Sequence, residues 1–359
     1  MNKKILAVAV SSALAAPMAA QAVKYKLSGQ VNRAMIYQND GQNADIQFVD
    51  NGSSGTRWRM KGSEEIGNGM KVGFNWEWQR QSNPGGNAIG TDGDLAATSS
   101  MRKAEVWFSG GWGKVSLGQG DGAGNGTTEV DLSDTWNVTY VSQTSMIDNI
   151  AWRTGAGGTL ATTAGAAGLN YGDTYTYYDA FSRYDRVRYD SPALGPVTIS
   201  VSAGARDKYE GAVRWSQGIG GGQISAGLFY GQHSAGGIDN AVGGSIAYLF
   251  SFGTNLLVSY SQSEPTGAVT TTGKNWYTKI GHKFGNNAVS VSVGQSKDAP
   301  GAVGFENIGY QIGFNHNIPK AKVDLYAGLS FATLDSSPAG TPSVDDIFAV
   351  AIGTKLKFD

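Results

Sequence analysis

The sequence predicts an all-β chain, a transmembrane antiparallel β-barrel of sixteen strands. Three observations point there. Apolar and polar side chains alternate with a period of two in segment after segment. Beyond the first residues, no apolar run is long enough to cross a bilayer as a helix. Glycine, at 52 residues, and 25 Trp and Tyr together are abundant in a chain with no cysteine. Backbone groups in a bilayer must be paired within the protein, and a closed sheet does this without leaving an edge.

The N-terminus accounts for export. Lys3 and Lys4, the short apolar run Ile5 to Val10 and the Ala20-Gln21-Ala22 site form a secretory leader over 1–22, too short and too rich in Ser and Ala to be a mature anchor. One domain, 23–359, follows with no linker. Its charge is close to balanced, which gives no reason to expect nucleic acid as a partner.

Sixteen strands are predicted near 24–37, 56–63, 70–79, 101–109, 114–119, 184–191, 197–204, 209–217, 223–232, 241–250, 255–263, 275–284, 288–296, 307–317, 322–333 and 346–358. The third shows the pattern most plainly: Met70, Val72, Phe74, Trp76 and Trp78 alternate with Lys71, Gly73, Asn75, Glu77 and Gln79. Successive side chains of a strand point to opposite faces, so each segment has one greasy and one wet face. The pattern recurs at Ile224 to Tyr230, Val289 to Val293, Ile308 to Phe314 and Val323 to Phe331. A soluble sandwich would alternate too. Aromatics near the strand ends (Trp76, Trp78, Trp215, Trp276, Tyr189, Tyr260) suit an interfacial girdle instead. Short turns (64–69, 218–223, 285–287, 319–322) also alternate with longer polar connections (38–55, 80–99, 265–273, 336–344), as in transmembrane barrels. The connection 120–183 is far too long for a hairpin loop and either folds into the lumen or makes a large external feature.

The segment Thr56-Arg57-Trp58-Arg59-Met60-Lys61-Gly62-Ser63-Glu64-Glu65-Ile66-Gly67-Asn68-Gly69-Met70-Lys71 resembles a signature of Gram-negative general diffusion porins, a basic strand running into an acidic, Gly-Asn-Gly turn. Arg102 to Gln119 is similar to that family's next hairpin, and Arg186-Val187-Arg188-Tyr189-Asp190-Ser191-Pro192-Ala193-Leu194-Gly195 to a further segment. The resemblance implies sixteen strands, a homotrimer, residence among the lipids of the outer membrane of a Gram-negative bacterium, and a third external loop that dips inward; the connection 120–183 falls where that loop belongs. The chain ends Phe358-Asp359 where the family usually ends on the aromatic, while Gly353, Leu356 and Phe358 keep the spacing expected of a signal to the barrel-assembly machinery.

Such a barrel acts through its lumen, where charge and diameter select solutes. On the second strand, Trp58 and Met60 facing lipid turn Arg57, Arg59 and Lys61 into water. On the sixth, Val187 and Tyr189 do the same for Arg186 and Arg188. Lys24, Lys26, Arg214 and Lys279 follow the same parity, the direction of Arg33 is open, and Arg102 reaches the lumen only from a bulge or beyond the lipid band. An Arg facing lipid at the midplane costs about 2–4 kcal/mol, so parity decides which way these side chains point. The carboxylates expected opposite are Asp121, Glu129, Asp131 and Asp134 of the long connection, with Asp148 a further candidate. The alternative for Asp131 and Asp134 is the cap of a short helix. A basic wall facing an acidic loop sets up a transverse field: unit charges roughly 8 Å apart interact by about 2 kcal/mol at an effective dielectric of 20.

The function expected is therefore passive diffusion of small hydrophilic solutes and ions. The alternatives are a channel preferring anions, organic acids or sugars, with Trp152, Tyr171, Tyr175, Tyr177 and Tyr178 as candidate contacts, and a plugged structural or adhesive barrel. No enzyme and no cofactor are expected: His233, His282 and His316 are scattered without metal or triad spacing. Gly118, Gly120 and Gly122 precede no helix pattern, which argues against a nucleotide loop. Asp345-Asp346 is read as solvated, with Ca²⁺ as the minor alternative.

Overall fold

The computed structural model describes residues 23–84, 89, 97–143, 146–155, 158–160, 168–267, 271–300, 302–336 and 342–359, so the leader expected over 1–22 lies outside the described residues. The strands are β1 (Lys24–Asn39), β2 (Ala44–Asp50), β3 (Arg57–Gly67), β4 (Met70–Gln81), β5 (Thr98–Gly110), β6 (Gly113–Asp121), β7 (Arg183–Asp190), β8 (Val197–Gly204), β9 (Lys208–Ile219), β10 (Gly222–His233), β11 (Ile238–Leu249), β12 (Thr254–Pro265), β13 (Gly273–Phe284), β14 (Asn287–Ala299), β15 (Ala302–Ile318), β16 (Val323–Ser336) and β17 (Ile347–Phe358). From β3 onward each pairs antiparallel with the next. β17 closes on β1 from Gly29 opposite Phe358 to Asn39 opposite Phe348, so neither terminal strand leaves a free edge.

Seventeen segments make sixteen barrel positions, because β2 and β3 both pair with β1. β2 covers its far half, Arg33 to Asn39, and β3 its near half, Lys24 to Gln30. The second barrel strand is thus broken at half height, and 51–56 is the break. This differs from the expectation that 38–55 is all loop. Ala44 to Asp50 contains Asp45 and Gln47 on one face and Ile46 and Phe48 on the other, an alternation masked by its polar flanks.

The two faces divide as alternation predicts. Leu27, Phe48, Leu117, Leu228 and Val258 are each more than half exposed and form the apolar outer surface. Ser261, Asn275, Ser296 and Asn307, with opposite parity, are fully buried. Residues 122–182, between β6 and β7, account for that burial. Their backbone and side chains bond to Ser202 and Glu210 on β8 and β9, Ser245 on β11, Ser259 and Ser261 on β12, Lys279 on β13, Ser290 on β14, Gln311 on β15 and Lys355 on β17. A single segment reaches the same face of so many strands of a closed barrel from within.

The buried apolar core therefore lies inside the barrel. Val138, Ile147, Ile150, Trp152, Leu169, Tyr171 and Tyr175 of the loop pack against inward Ile36, Phe305, Tyr326, Ile347 and Ala349. Each large side chain so buried contributes about 2 kcal/mol. A one-turn helix, α1 (Tyr171–Thr174), is closed at its start by the reciprocal bonding of Asn170 and Asp173. Glycine makes the fit: a Cβ on Gly309 would collide with Gln143, and one on Gly294 with the Tyr175 hydroxyl.

One end of the barrel carries tight connections at 68–69, 111–112, 220–221 and 285–286, and the other carries 82–97, 122–182 and 337–346. The alternation of short and long is not strict, since 205–207, 234–237 and 300–301 on the second end are also brief.

Candidate functional site

The strand registers arrange the inward charges in rungs across β3 to β7. One rung runs Arg59, Glu77, Lys103; the next runs Lys61, Asn75, Glu105, Gly118, Arg186; the next carries Ser63, Gly73, Trp107, Ser116, Arg188. Arg57 lies one rung beyond Arg59, opposite Gln79.

Glu77 organises the first cluster. It is buried, and its carboxylate meets Arg102 at 2.6 Å and Arg57 and Arg59 at 3.4 Å each. Arg102 belongs to this wall because of a bulge: the β4–β5 register slips between Glu77 and Trp78, and its guanidinium turns to Glu77 and to Gln79 at 3.0 Å. Arg57 is further fixed by Ser54 Oγ at 3.1 Å and the Gly55 carbonyl at 3.1 Å. Lys61 forms no ion pair among the described residues, and Lys114 lies 5.1 Å from the centre of the Trp107 ring.

The second cluster is more fully paired. Arg186 is buried against Glu105 and donates to the carbonyls of Asp121 at 3.0 Å and Gly118 at 2.9 Å. Arg188 pairs with Asp190 at 2.7 Å and donates to the Gly122 carbonyl at 2.7 Å. Arg214 donates to the carbonyls of Ala123 and Asn125 at 2.8 and 2.7 Å, so three arginines hold the root of the loop. Lys26 sits at the short-turn end, 3.0 Å from Asp359. Arg33 has the outward parity of Val31 and Met35 and pairs at 2.6 Å with buried Asp50.

The four loop carboxylates are placed as follows. Asp121 pairs with Arg183 at 2.9 Å and with Lys103. Glu129 accepts from the Tyr177 hydroxyl at 2.7 Å. Asp131 pairs with Lys279 at 2.7 Å, and Asp134 with Lys283 at 2.5 Å. Burial pushes the Asp131 carboxyl up, but the Lys279 ammonium and the Ser133 N–H more than offset this and hold it below the usual range. Asp131 accepts from Ser133 N in a turn, and no helix follows it. Asp148 also has a bonding partner. Asp179, next to the second root, accepts from Gly126 N at 2.7 Å and from the Thr128 hydroxyl at 2.8 Å. Burial, and then the charge of Glu129, push its carboxyl up to about 7.

The break 51–56 turns inward and meets the loop. Gln30 donates to Ser54 Oγ at 2.6 Å, Asn32 donates to the Ser54 carbonyl at 2.9 Å, and Asn51 Nδ2 donates to the Asn137 carbonyl of the loop at 2.7 Å. Glu77, Glu105 and this inward break are what sequence reasoning missed, while Arg102 reaches the wall by the bulge that its expectation required. The parity of Glu77 was legible beside Trp76 and Trp78; the bulge and the break were not.

Among the described residues, no group of three or more His, Asp or Glu is placed to hold a metal ion. His233 meets Phe181 edge-on, His282 bonds Thr254, and His316 bonds Asn287.

A model of the Gram-negative porin family matches residues 6–337. Outer membrane porin protein 32 of Delftia acidovorans is 32% identical over 121 residues, 33% of this chain; the match spans about a third of that relative, 32%. The solved anion-selective porin from Comamonas acidovorans superposes with a TM-score of 0.61 at 16% identity, covering 94% of this chain and 100% of the other. OmpT of Vibrio cholerae, folded in vitro and in its trimer form, gives 0.56 at 10% identity, covering 94% and 100%.

Proposed function

This chain belongs to the Gram-negative porin family, and we propose that it is a passive diffusion channel for small hydrophilic solutes that favours anions. The observation that carries the preference is Glu77, one carboxylate among three guanidiniums. The loop carboxylates Asp131 and Asp134 are neutralised by Lys279 and Lys283 on β13, away from that wall. The surplus on the β3–β5 side is thus left uncompensated, and a lumen with low-dielectric walls concentrates counter-ions of the opposite sign. Arg59 and Lys61, the less committed cations, are the side chains that meet solutes. The relative from Comamonas acidovorans is described as anion-selective, which agrees.

The loop 122–182 is the constriction in this reading. Export by the leader 1–22, assembly through the C-terminal strand and a homotrimer complete it; the trimer form of the Vibrio cholerae protein supports the last. The test is reversal potential in a potassium chloride gradient across a planar bilayer. A potential of the sign set by chloride is expected; one set by potassium overturns the preference, and absence of conductance overturns the channel.

A further inference from the structure

A cavity of about 270 Å³ lies between the loop and the short-turn end of the barrel, away from the arginine cluster. Its floor is the 285–287 turn with the lower ends of β15 to β17, and Trp136 of the loop borders it. The lining residues Asn315, Asn317, Asp324 and Lys357 have inward parity. Because those lining residues point inward, the cavity lies on the lumen side of the wall.

Four charged side chains line it, the carboxylates Asp134 and Asp324 and the ammoniums Lys283 and Lys357, and each is paired. Lys283 pairs with Asp134 at 2.5 Å, and Asp324 with Lys355 at 3.0 Å and Lys357 at 3.3 Å. A charged solute has to break one of these pairs and strand its partner, which is costly for Asp324 and Lys355 because both are buried. The amides, by contrast, have capacity to spare. Asn315 Oδ1 accepts from Asn137, and Asn317 Nδ2 donates to Asp324 at 2.6 Å; among the described residues the Asn315 Nδ2 and the Asn317 Oδ1 have no protein hydrogen bond. The side chain of Asn286 and the indole N–H of Trp136 have no protein hydrogen bond among the described residues. The indole is also fixed: Lys355 Nζ lies 4.3 Å from its centre, itself held by Asn137 Oδ1 at 2.8 Å. A rigid aromatic wall, spare amide donors and acceptors and internally cancelled charge match a ligand with hydroxyls around an apolar carbon face.

We propose that this cavity is a holding station for small uncharged polyhydroxylated solutes, sugars or polyols, just beyond the charged constriction. It rests on the channel reading only in that solutes must reach it through the lumen.

The test uses the purified full-length barrel and D-glucose, with D-gluconate as its charged counterpart. Saturation-transfer NMR of the detergent-folded protein is expected to show saturable glucose binding, about tenfold weaker in Trp136→Ala and in Asn315→Leu. Trp136→Phe, which keeps the aromatic wall and loses the N–H, is expected to fall between. In single channels, glucose added from the short-turn side is expected to reduce chloride current saturably, with that saturation lost in Trp136→Ala. Non-saturable glucose signals, equal binding by gluconate, or binding unchanged in both Trp136→Ala and Asn315→Leu overturns the station. Binding without any conductance overturns the channel and leaves the station standing.

Discussion

At Glu77 three guanidiniums share one carboxylate, so Glu77→Gln leaves them facing one another in a low-dielectric wall. We expect it to lower thermal stability by about 3 kcal/mol and to raise the chloride-to-potassium permeability ratio, read from melting curves and reversal potentials. Arg59→Ser with Lys61→Ser is expected to move selectivity toward cations, and further than Arg57→Ser with Arg102→Ser, because Arg57 is tied to Ser54 and Gly55. An equal shift from the two pairs contradicts the division of roles. Asp179 gives a pH signature. Its folded carboxyl titrates near 7, above its unfolded value, so the folded loop binds a proton between about pH 4 and 7 that the unfolded chain does not. That stabilisation is present below the unfolded value, falls away as pH rises toward 7 and is absent above it. Protection factors in 122–130, exchange rates taken relative to the intrinsic rate at each pH, are therefore expected to be higher at pH 5.5 than at pH 8, with the difference reduced in Asp179→Asn.

At the scale of elements, parity makes a paired prediction. Val291 is 51% exposed on the outer face and Ser292 is buried on the inner. Val291→Arg is expected to impair insertion by about 2–4 kcal/mol, while Ser292→Arg is expected to insert and alter conductance. Equal damage in a folding gel-shift assay contradicts the assigned faces. Gly309→Val puts a side chain where Gln143 and the Tyr171 hydroxyl now sit. It is expected to unseat the loop and raise single-channel conductance without loss of the barrel. The strands were legible because period-two alternation states which side chains face water. Arg102 was legible only as a conditional, since a bulge changes parity by one residue and leaves no mark in composition. β2 was hidden for a related reason: its seven residues sit between polar flanks that read as loop.

For the whole molecule, closure was legible from an even strand count, and the lumen from the polar faces. The partners of the loop acids were not. Asp131 and Asp134 are ordinary loop carboxylates in the chain, and only the path of 122–182 along β11 to β17 brings them to Lys279 and Lys283. Sequence gives the sign of a charge at each position, while selectivity depends on which charges cancel, and that is a property of the closed barrel. The inward turn at 51–56 shows the same dependence on tertiary path. The loop is rooted between β6 and β7, yet Asn51 bonds it at Asn137, where the loop also meets Asn315 on β15 and Lys355 on β17. Mechanically it is a beam pinned along its length, not a cantilever. Its bending modes are stiffened, so the open-state current should be quiet, and voltage-driven collapse of the passage should require several of those pins to be released together.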